Sequence, residues 1–297
     1  MNEVFLERLA KILPSQARSY FGKPALHTHF RVNTLKTSIQ DALQQLQNMG
    51  VSFEKVEWYS SALSVASNDA RSVLDSPLVS GGLLYPQGLE SMKAVVELDP
   101  QPGEYVLDLC AAPGSKTSQI AAHMNNEGQL VANEPIRTRF YRLKSVLSLT
   151  GAQATLTMVD GRRFKISKIG DSALFLKNKR QQNRALSPIF FDRVLVDAPC
   201  SAEGRFKESD PKTYAYWSPR KIKEMSHKQK GLLLNASRLV KPGGILVYST
   251  CTFAPEENEE VVEWFARKTQ DFQLKLQEHI WPDGRMEGFF IAKWKKI

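Results

Sequence analysis

The segment VLDLCAAPGSKTSQIAAHM, residues 106–124, gives the clearest indication of the fold. It starts with a short apolar run that is typical of a buried strand. Pro113 and Gly114 then mark a turn, and the residues after Ser115 have the composition of a helix. A strand that turns directly into a helix indicates an α/β domain built on a parallel sheet.

The alternation of strands and helices continues to the end of the chain. Further strands are predicted at residues 128–134, 154–160, 191–199, 243–251 and 288–296. Helices are predicted between them, from Pro135 to Gly151, from Pro219 to the Pro-Gly-Gly stop, and from Pro255 onward. We therefore expect a doubly wound sheet with helices on both faces, and GFFIAKWKK (288–296) as its antiparallel edge strand.

Residues 1–75 have a different pattern. A short helix over 2–13 precedes a strand, a helix and two more strands, which predicts a small α+β domain. The large domain then covers 76–297 and begins with a loop and a docking helix. Residues 162–190 form an insert whose two ends we expect beside the carboxyl ends of the strands.

Charge and cysteine content limit the classes of function. The 297 residues carry a net charge of +9, and the 162–190 insert supplies +7 of it, from eight Lys/Arg against Asp171. A basic segment is typical of a surface that binds phosphate, or of a solvated loop.

The three cysteines, Cys110, Cys200 and Cys251, fit no disulfide framework and no zinc spacing, so we expect a reducing, cytoplasmic setting and no metal. No apolar run is long enough to span a membrane, and we expect a monomer.

Polar and reactive residues collect where the predicted strands end. Glu134 follows Gly114 by 20 residues, the spacing at which an acid accepts hydrogen bonds from a ribose in nucleotide-binding folds. Asp160, after the third strand, is placed to accept a bond from an adenine amino group. The turn lacks the glycines of a P-loop and of a dinucleotide-binding loop, so an adenosine-bearing cofactor fits best, with a purely structural turn as the alternative.

Two of the cysteines follow strands at this same edge. Cys200 comes after Asp-Ala-Pro and Cys251 after Ser-Thr, whereas Cys110 lies inside the turn and is expected to be a small buried residue. Two thiols beside a cofactor site suit methylation of a pyrimidine at C5, because a thiolate that adds to C6 makes C5 nucleophilic. Asp197 near N3 would stabilise the adduct as charge develops there.

These segments together resemble a known family. DLCAAPGSKTSQIA (108–121), LVDAPCSAEG (195–204) and YSTCT (248–252) are similar to the motifs of RNA (cytosine-5) methyltransferases of the Nop/Sun (RsmB-like) type. RVNTLK (31–36), LYPQGLESM (84–92) and the terminal strand are further family marks. The resemblance implies a class I methyltransferase domain, with a Rossmann-like mixed seven-stranded sheet, that uses S-adenosylmethionine on RNA. It also implies that the N-terminal domain is RNA-recognition-like.

The resemblance also implies a role for each site residue. Cys251 would be the nucleophile, Cys200 would promote product release, Asp197 would lie by the methionine and the target base, and Lys116 would support the site. The cofactor would be held by the backbone of Cys110, Ala111, Ala112, Pro113, Gly114, Ser115 and Lys116, and by Glu134, Arg139, Asp160 and Asp197. Glu134 stands where the family usually has Asp, and Val146 and Leu149 stand where it often has Asn and Arg.

Two other functions remain open at this point. A DNA cytosine-5 methyltransferase would attack with the Pro-Cys residue, Cys200, but no segment after it is large enough for a target-recognition region. A catalytically idle RNA-binding or assembly factor would not need both thiols, Asp197 and Lys116. Ribosomal RNA is the favoured substrate, and transfer RNA is the next.

Overall fold

The computed structural model describes residues 3–165 and 190–297. Most of the predicted 162–190 insert lies outside the described residues. Within the described ranges, the chain folds around two separate sheets, one of four strands and one of seven.

The seven-stranded sheet belongs to the large domain and has the strand order β10-β11-β9-β8-β5-β6-β7. Its strands are β5 (Tyr105–Asp108), β6 (Gln129–Asn133), β7 (Thr155–Thr157), β8 (Phe191–Asp197), β9 (Val240–Thr250), β10 (Phe272–Ile280) and β11 (Phe289–Lys296). The five strands from β5 to β9 are parallel, and β10 and β11 are antiparallel to their neighbours. This mixed sheet confirms the predicted fold class.

Helices cover both faces of the large sheet. Successive side chains along each strand point to opposite faces, and apolar residues on both faces need cover. Leu107, Val194 and Leu246 point to one face and pack with residues of two helices there, whereas Val106 and Val247 point to the other. The helices are α6 (Leu89–Leu98), α7 (Ser115–His123) and α8 (Arg137–Thr150) on one face, and α9 (Pro219–Ser237) and α10 (Glu259–Lys268) on the opposite face.

The prediction that residues 288–296 form the edge strand of the large sheet was wrong. β11, the last strand, lies between β9 and β10, and the edge is β10, which the sequence analysis missed. The pattern of β10, FQLKLQEHI, is polar and largely exposed, as expected of a strand that only one neighbour covers. α10 also begins four residues later than expected, because Pro255–Asn258 form turns before Glu259.

The four-stranded sheet forms the N-terminal domain and has the order β2-β3-β1-β4. Its elements are β1 (His27–Val32), α3 (Ile39–Asn48), β2 (Phe53–Lys55), β3 (Ala62–Ala66), α4 (Ser67–Leu74), α5 (Pro77–Ser80) and β4 (Leu84–Pro86). β4 lies in the segment that was predicted to be a loop, and it completes the βαββαβ order of ferredoxin-like domains. We therefore propose that this domain extends to Pro86 rather than to residue 75.

One face of this small sheet is covered by the large domain. Phe30 and Val32 face α3 and α4, but Arg31, between them, points the other way and is fully buried against α7. His29, on the same side as Arg31, bonds the carbonyl of Arg285. RNA-recognition domains stack bases on this face of the sheet. Here this face is occupied by the chain itself, so it is not open for a base to stack on it.

The first two helices do not belong to the small sheet. α1 (Glu3–Ile12) and α2 (Ser15–Arg18) pack Phe5 against Phe206 and Trp217 of the large domain, and Arg8 pairs with Glu256 at 2.8 Å. Across residues 3–165 and 190–297, no helix has both the length and the apolar character to cross a membrane.

The flanks of the insert contradict one expectation. The Phe164 carbonyl accepts a bond from Asn235, in the last turn of α9, and Phe191 bonds to Leu239 just before β9 starts. The first flank starts at the carboxyl edge, as expected, because Gly161, just before the insert, lies against Leu109 at the end of β5. The second flank lies at the amino edge instead, because a parallel strand must be entered from that edge.

Candidate active site

The carboxyl ends of β5, β6, β8 and β9 bring most of the predicted site residues together. Asp197 is the last residue of β8, and its Ala198 neighbour bonds to Ser249 at the end of β9. The turns that follow these two strands bring Cys200 and Cys251 side by side, with 3.2 Å between their sulfur atoms. Two thiols that are 51 residues apart in sequence thus form one pair.

The two thiols of this pair are electrostatically unequal. The hydrogen bond between the two sulfur atoms lowers the pKa of Cys251 to about 7 despite its burial, and the charges of Arg205 and Lys116 act in the same direction. The same hydrogen bond, together with burial, raises the pKa of Cys200 well above its usual value. Cys251 is therefore the thiolate of the pair near neutral pH, and the thiolate is the nucleophilic form.

Lys116 and Asp197 form an ion pair close to the thiols. The Lys116 ammonium donates to Asp197 Oδ2 at 2.8 Å, and the Ser249 hydroxyl donates to Oδ1 at 2.8 Å. The Lys116 side chain is 5% exposed and lies over the ring of Phe289, whereas Asp197 is 28% exposed. The structure thus brings all four residues that were predicted to be catalytic to one place.

A buried carboxylate network, which sequence reasoning missed, holds the two thiol turns. Glu203 accepts bonds from Trp217 and from Thr252, next to Cys251, and Glu257 accepts bonds from the backbone N–H of Ser201, next to Cys200. Burial raises the pKa of Glu257 to about 7 and also raises that of Glu203. The acids of PEENEE (255–260) signal only a helix start, so no sequence pattern indicated these inward-pointing contacts.

The turn after β5 is shaped for a close approach of the backbone. Gly114 has a φ of +115°, and a Cβ there would lie 3.1 Å from Leu143 and Val146, so a larger residue would be strained and crowded. Ala111 donates from its backbone to Asn133, and Ala112 accepts from Arg139 at 2.7 Å. The turn is thereby tied to β6 and α8.

Cys110 stands apart from the other two cysteines. Burial raises the pKa of its thiol well above the usual value. Its side chain packs against the apolar cluster between the large sheet and the helices α9 and α10, which includes Leu109. Cys110 is half-buried and also lines the cleft beside this turn, so the role of its backbone in holding the cofactor stays a prediction.

A cleft of about 220 Å³ lies next to this turn and contains the residues that were predicted to hold the adenosine. Glu134 is 1% exposed, accepts from the Ile136 N–H, and faces Arg139 at 3.6 Å. Asp160 lines the cleft too, but Arg162 binds both of its carboxylate oxygens and lowers its pKa to about 2. The contact of Asp160 with adenine stays a prediction.

Two further residues of this cleft escaped the sequence analysis. Asn133 is buried, and its side chain donates to the carbonyls of Leu109 and Val159, so it joins the ends of three strands. Lys228, on α9, also lines the cleft. Asn133 directly precedes Glu134, so its place at a strand end was a usable signal. In the described parts of the chain, no group of acids, histidines and cysteines could hold a metal ion.

Comparisons with known proteins agree with this geometry. A family model described as 16S rRNA methyltransferase RsmB/F matches residues 95–295. Ribosomal RNA small subunit methyltransferase F of Pectobacterium carotovorum is 33% identical across 98% of this chain, which spans only 62% of that protein. The tRNA (cytosine(49)-C(5))-methyltransferase of Pyrococcus abyssi is 37% identical, across all of this chain and 96% of its own length.

Solved structures give the same result for the fold. A crystal structure of a methyltransferase homologue from Pyrococcus horikoshii superposes with a TM-score of 0.75 at 29% identity, with complete coverage of both chains. NSun6 from the same organism superposes with a TM-score of 0.81 at 20% identity, across 99% of this chain and 98% of that one. The second match bears on the fold alone.

Proposed function

The chain belongs to the RsmB/F family of 16S rRNA methyltransferases, and from this premise we propose that it methylates C5 of a cytosine in RNA, with S-adenosylmethionine as the methyl donor. The observation that carries the proposal is the thiol pair, with 3.2 Å between its sulfur atoms, in which the pKa of Cys251 is lowered and that of Cys200 is raised. Such a pair provides one nucleophile and one group that can accept a proton later.

In the proposed reaction the Cys251 thiolate adds to C6 of the cytosine, and the electron pair of the C5–C6 double bond moves toward N3. Asp197, as the carboxylate of an ion pair with Lys116, suits the exocyclic amino group of the base, because a carboxylate accepts hydrogen bonds. The sequence analysis placed it near N3 instead. Lys116 fixes the orientation of this carboxylate.

Release of the product requires that the C5 proton leaves and that the bond between C6 and sulfur breaks. Once Cys251 is bound to C6 it no longer carries a negative charge, and that charge was one of the causes of the raised pKa of Cys200. Cys200 can then lose its proton to solvent and take the C5 proton as a thiolate. The electron pair of the C5–H bond then re-forms the C5–C6 double bond, and the bond between C6 and sulfur breaks. Cys251 leaves as a thiolate, which is the form in which it started.

The residues at the carboxyl edge fit the cofactor. The turn at Gly114 leaves no room for a side chain, and the buried Glu134 lies in a cleft with Arg139, so a ribose could be held by Glu134 and the turn backbone. S-adenosylmethionine supplies the methyl group when it is bound. Glu134→Ala should weaken its binding about tenfold to a hundredfold in calorimetry, because hydrogen bonds to a charged group contribute about 1.5–3 kcal/mol.

Cytosine in RNA is favoured over cytosine in DNA by the assignment of the thiolate. A DNA-type enzyme would attack with Cys200, whose pKa is raised, whereas the thiol with the lowered pKa is Cys251. Ribosomal RNA is the first proposed substrate, because the family model that matches is that of 16S rRNA methyltransferases. Transfer RNA is the second, because the tRNA enzyme of Pyrococcus abyssi matches this chain across nearly its whole length. The protein would act on these RNAs as a monomer in the cytoplasm.

Transfer of a tritiated methyl group to total RNA and to DNA tests the proposal. We expect label in RNA, at C5 of cytosine, and none in DNA. Bisulfite sequencing of the labelled RNA then identifies the cytosine and separates ribosomal from transfer RNA. A folded protein that binds S-adenosylmethionine but labels neither nucleic acid would favour the idle binding factor.

A further inference from the structure

A pocket of about 370 Å³ lies between the N-terminal segment, the turn after Cys200 and the loop before β11, and has no role in the reaction described above. Three chain segments line it, residues 19–26, 204–207 and 282–287. Its volume lies within the range of roughly 300–1,000 Å³ that is usual for small-molecule sites. The pocket is therefore large enough for one nucleotide.

The pocket is held open by backbone hydrogen bonds between each pair of segments. The Glu208 N–H donates to Gly22 and the Leu26 N–H to Gly284, both at 3.0 Å, and the Gly288 N–H donates to Gly204 at 3.4 Å. Two of the residues that line it, Phe21 and Phe206, are buried in the apolar cluster beneath. A site whose walls are fixed in this way loses little conformational entropy when a ligand binds.

One wall of the pocket is bonded directly to the predicted nucleophile. The Gly204 N–H donates to the carbonyl of Cys251 at 3.0 Å. Gly204 also lies against Gly288 so closely that a Cβ on Gly204 would be 2.1 Å from the Gly288 carbonyl oxygen. The wall of the pocket is thus fixed directly to the backbone of the residue that would attack the target base.

The charges of the pocket suit a phosphodiester. Lys23 and Lys207 line it, and neither makes an ion pair with any residue in 3–165 or 190–297. Glu287, the acid of the lining, is paired with Arg205 at 3.8 Å. Tyr20 lines the same pocket and is 43% exposed, so its ring can take a stacked base.

We propose that this pocket binds the nucleotide next to the target cytosine in the substrate RNA, with its phosphate at Lys23 and Lys207 and its base on Tyr20. The inference rests on the proposed function, because it takes RNA as the substrate. It explains how a chain whose N-terminal sheet face is covered can still hold single-stranded RNA. Stacking and phosphate contacts of this kind bind single strands with little sequence preference.

The test uses oligonucleotides that the wild-type protein methylates, extended by one nucleotide at a time on either side of the target cytosine. The double variant Lys23→Gln/Lys207→Gln is compared with Lys268→Gln/Lys275→Gln, which loses the same charge at the end of α10 and on β10. On one side, the first added nucleotide should lower KM about tenfold in the wild type and in the control pair. In the pocket variant this gain should be lost, and the slope of log KM against log salt should fall by about 1.

Two further measurements decide the outcome. Tyr20→Ala should remove the gain without changing the salt slope, and S-adenosylmethionine affinity should stay the same in all variants. If the pocket pair and the control pair give equal KM values and slopes, the pocket is not a nucleotide site. A wild-type protein that methylates no RNA would instead overturn the proposed function itself.

Discussion

At the scale of single residues, Cys200 and Cys251 share one hydrogen bond but have different pKa values. We therefore propose Cys251 as the nucleophile and Cys200 as the group that accepts the C5 proton. The lowered pKa of Cys251 depends on its hydrogen bond with Cys200 and on the nearby charges of Arg205 and Lys116. Loss of either thiol therefore changes the properties of the other.

Substitution of each thiol should give opposite results. Cys200→Ala keeps the nucleophile but lacks the group that accepts the C5 proton, so it should accumulate a protein–RNA adduct that resists denaturation. The adduct should form slowly, since alanine no longer donates to Cys251. Cys251→Ala should form no adduct and no product. Gel electrophoresis of each variant with labelled RNA gives the answer, and an adduct only in Cys251→Ala would assign the nucleophile to Cys200.

The rate of methyl transfer should rise with pH. Below a pH of about 7 the Cys251 thiol is mostly protonated, and the thiolate fraction grows as the pH passes through that value. Arg205→Gln removes a positive charge that lowers this pKa, so the midpoint should move up by about one pH unit. Single-turnover rates at saturating RNA measure this, with Arg267→Gln on α10 as the control. Equal midpoints in both variants would show that Arg205 does not act on the thiol.

At the scale of elements, the N-terminal domain positions the helix that follows the cofactor turn. Arg31 on β1 donates to Gln87 and to Ser118 of α7, and Gln87 donates to Gln119 of the same helix. Asn33, directly after β1, donates to the carbonyl of Thr150 at the end of α8. β1 thus contacts the two helices whose first turns carry Lys116 and Arg139.

Loss of Arg31 should therefore weaken cofactor binding. Arg31→Ala leaves a cavity and an unpaired Gln87, and should lower the free energy of unfolding by about 2–5 kcal/mol. Arg31→Met fills the volume without the donors, so it should recover stability but not S-adenosylmethionine affinity. Thermal unfolding and calorimetry separate the two effects. Wild-type affinity in a folded Arg31→Met would mean that β1 does not position α7.

At the scale of the whole molecule, the distribution of charge should control RNA binding. The 162–190 insert carries +7. Its first flank starts at the carboxyl edge, whereas Phe191, directly after it, lies at the amino edge. We expect its positive charge to attract RNA without taking part in the chemical step. The residues that carry most of the charge lie outside the described part of the chain, so their contact with RNA stays a prediction.

Neutralisation of Lys177, Lys179, Arg180 and Arg184 to Gln should weaken RNA binding and flatten its salt dependence. If four or five cations contact phosphate, the wild-type log–log slope should be about −3. The variant should keep its kcat at saturating RNA and its S-adenosylmethionine affinity. Fluorescence anisotropy across a salt series is the measurement. Unchanged affinity and slope would leave RNA binding to the rest of the surface.

The family, the class of the large sheet and the residues at its carboxyl edge could be predicted from the amino-acid sequence. They depend on local signals, such as the strand, turn and helix around Gly114 and the thiols directly after β8 and β9. A parallel sheet collects the ends of its strands at one edge, so residues identified singly were bound to meet there.

The ionised thiol, the return of the insert to the sheet and the cover of the N-terminal sheet could be seen only in the folded chain. Each of these depends on atoms that are distant in sequence: Cys200 beside Cys251, Phe191 beside Leu239, and Arg31 beside Ser118. The same holds for β4 and β10, which are short or polar and become strands through their neighbours. Pairing, burial and shared protons are properties of packed groups, and no run of residues contains them before the chain folds.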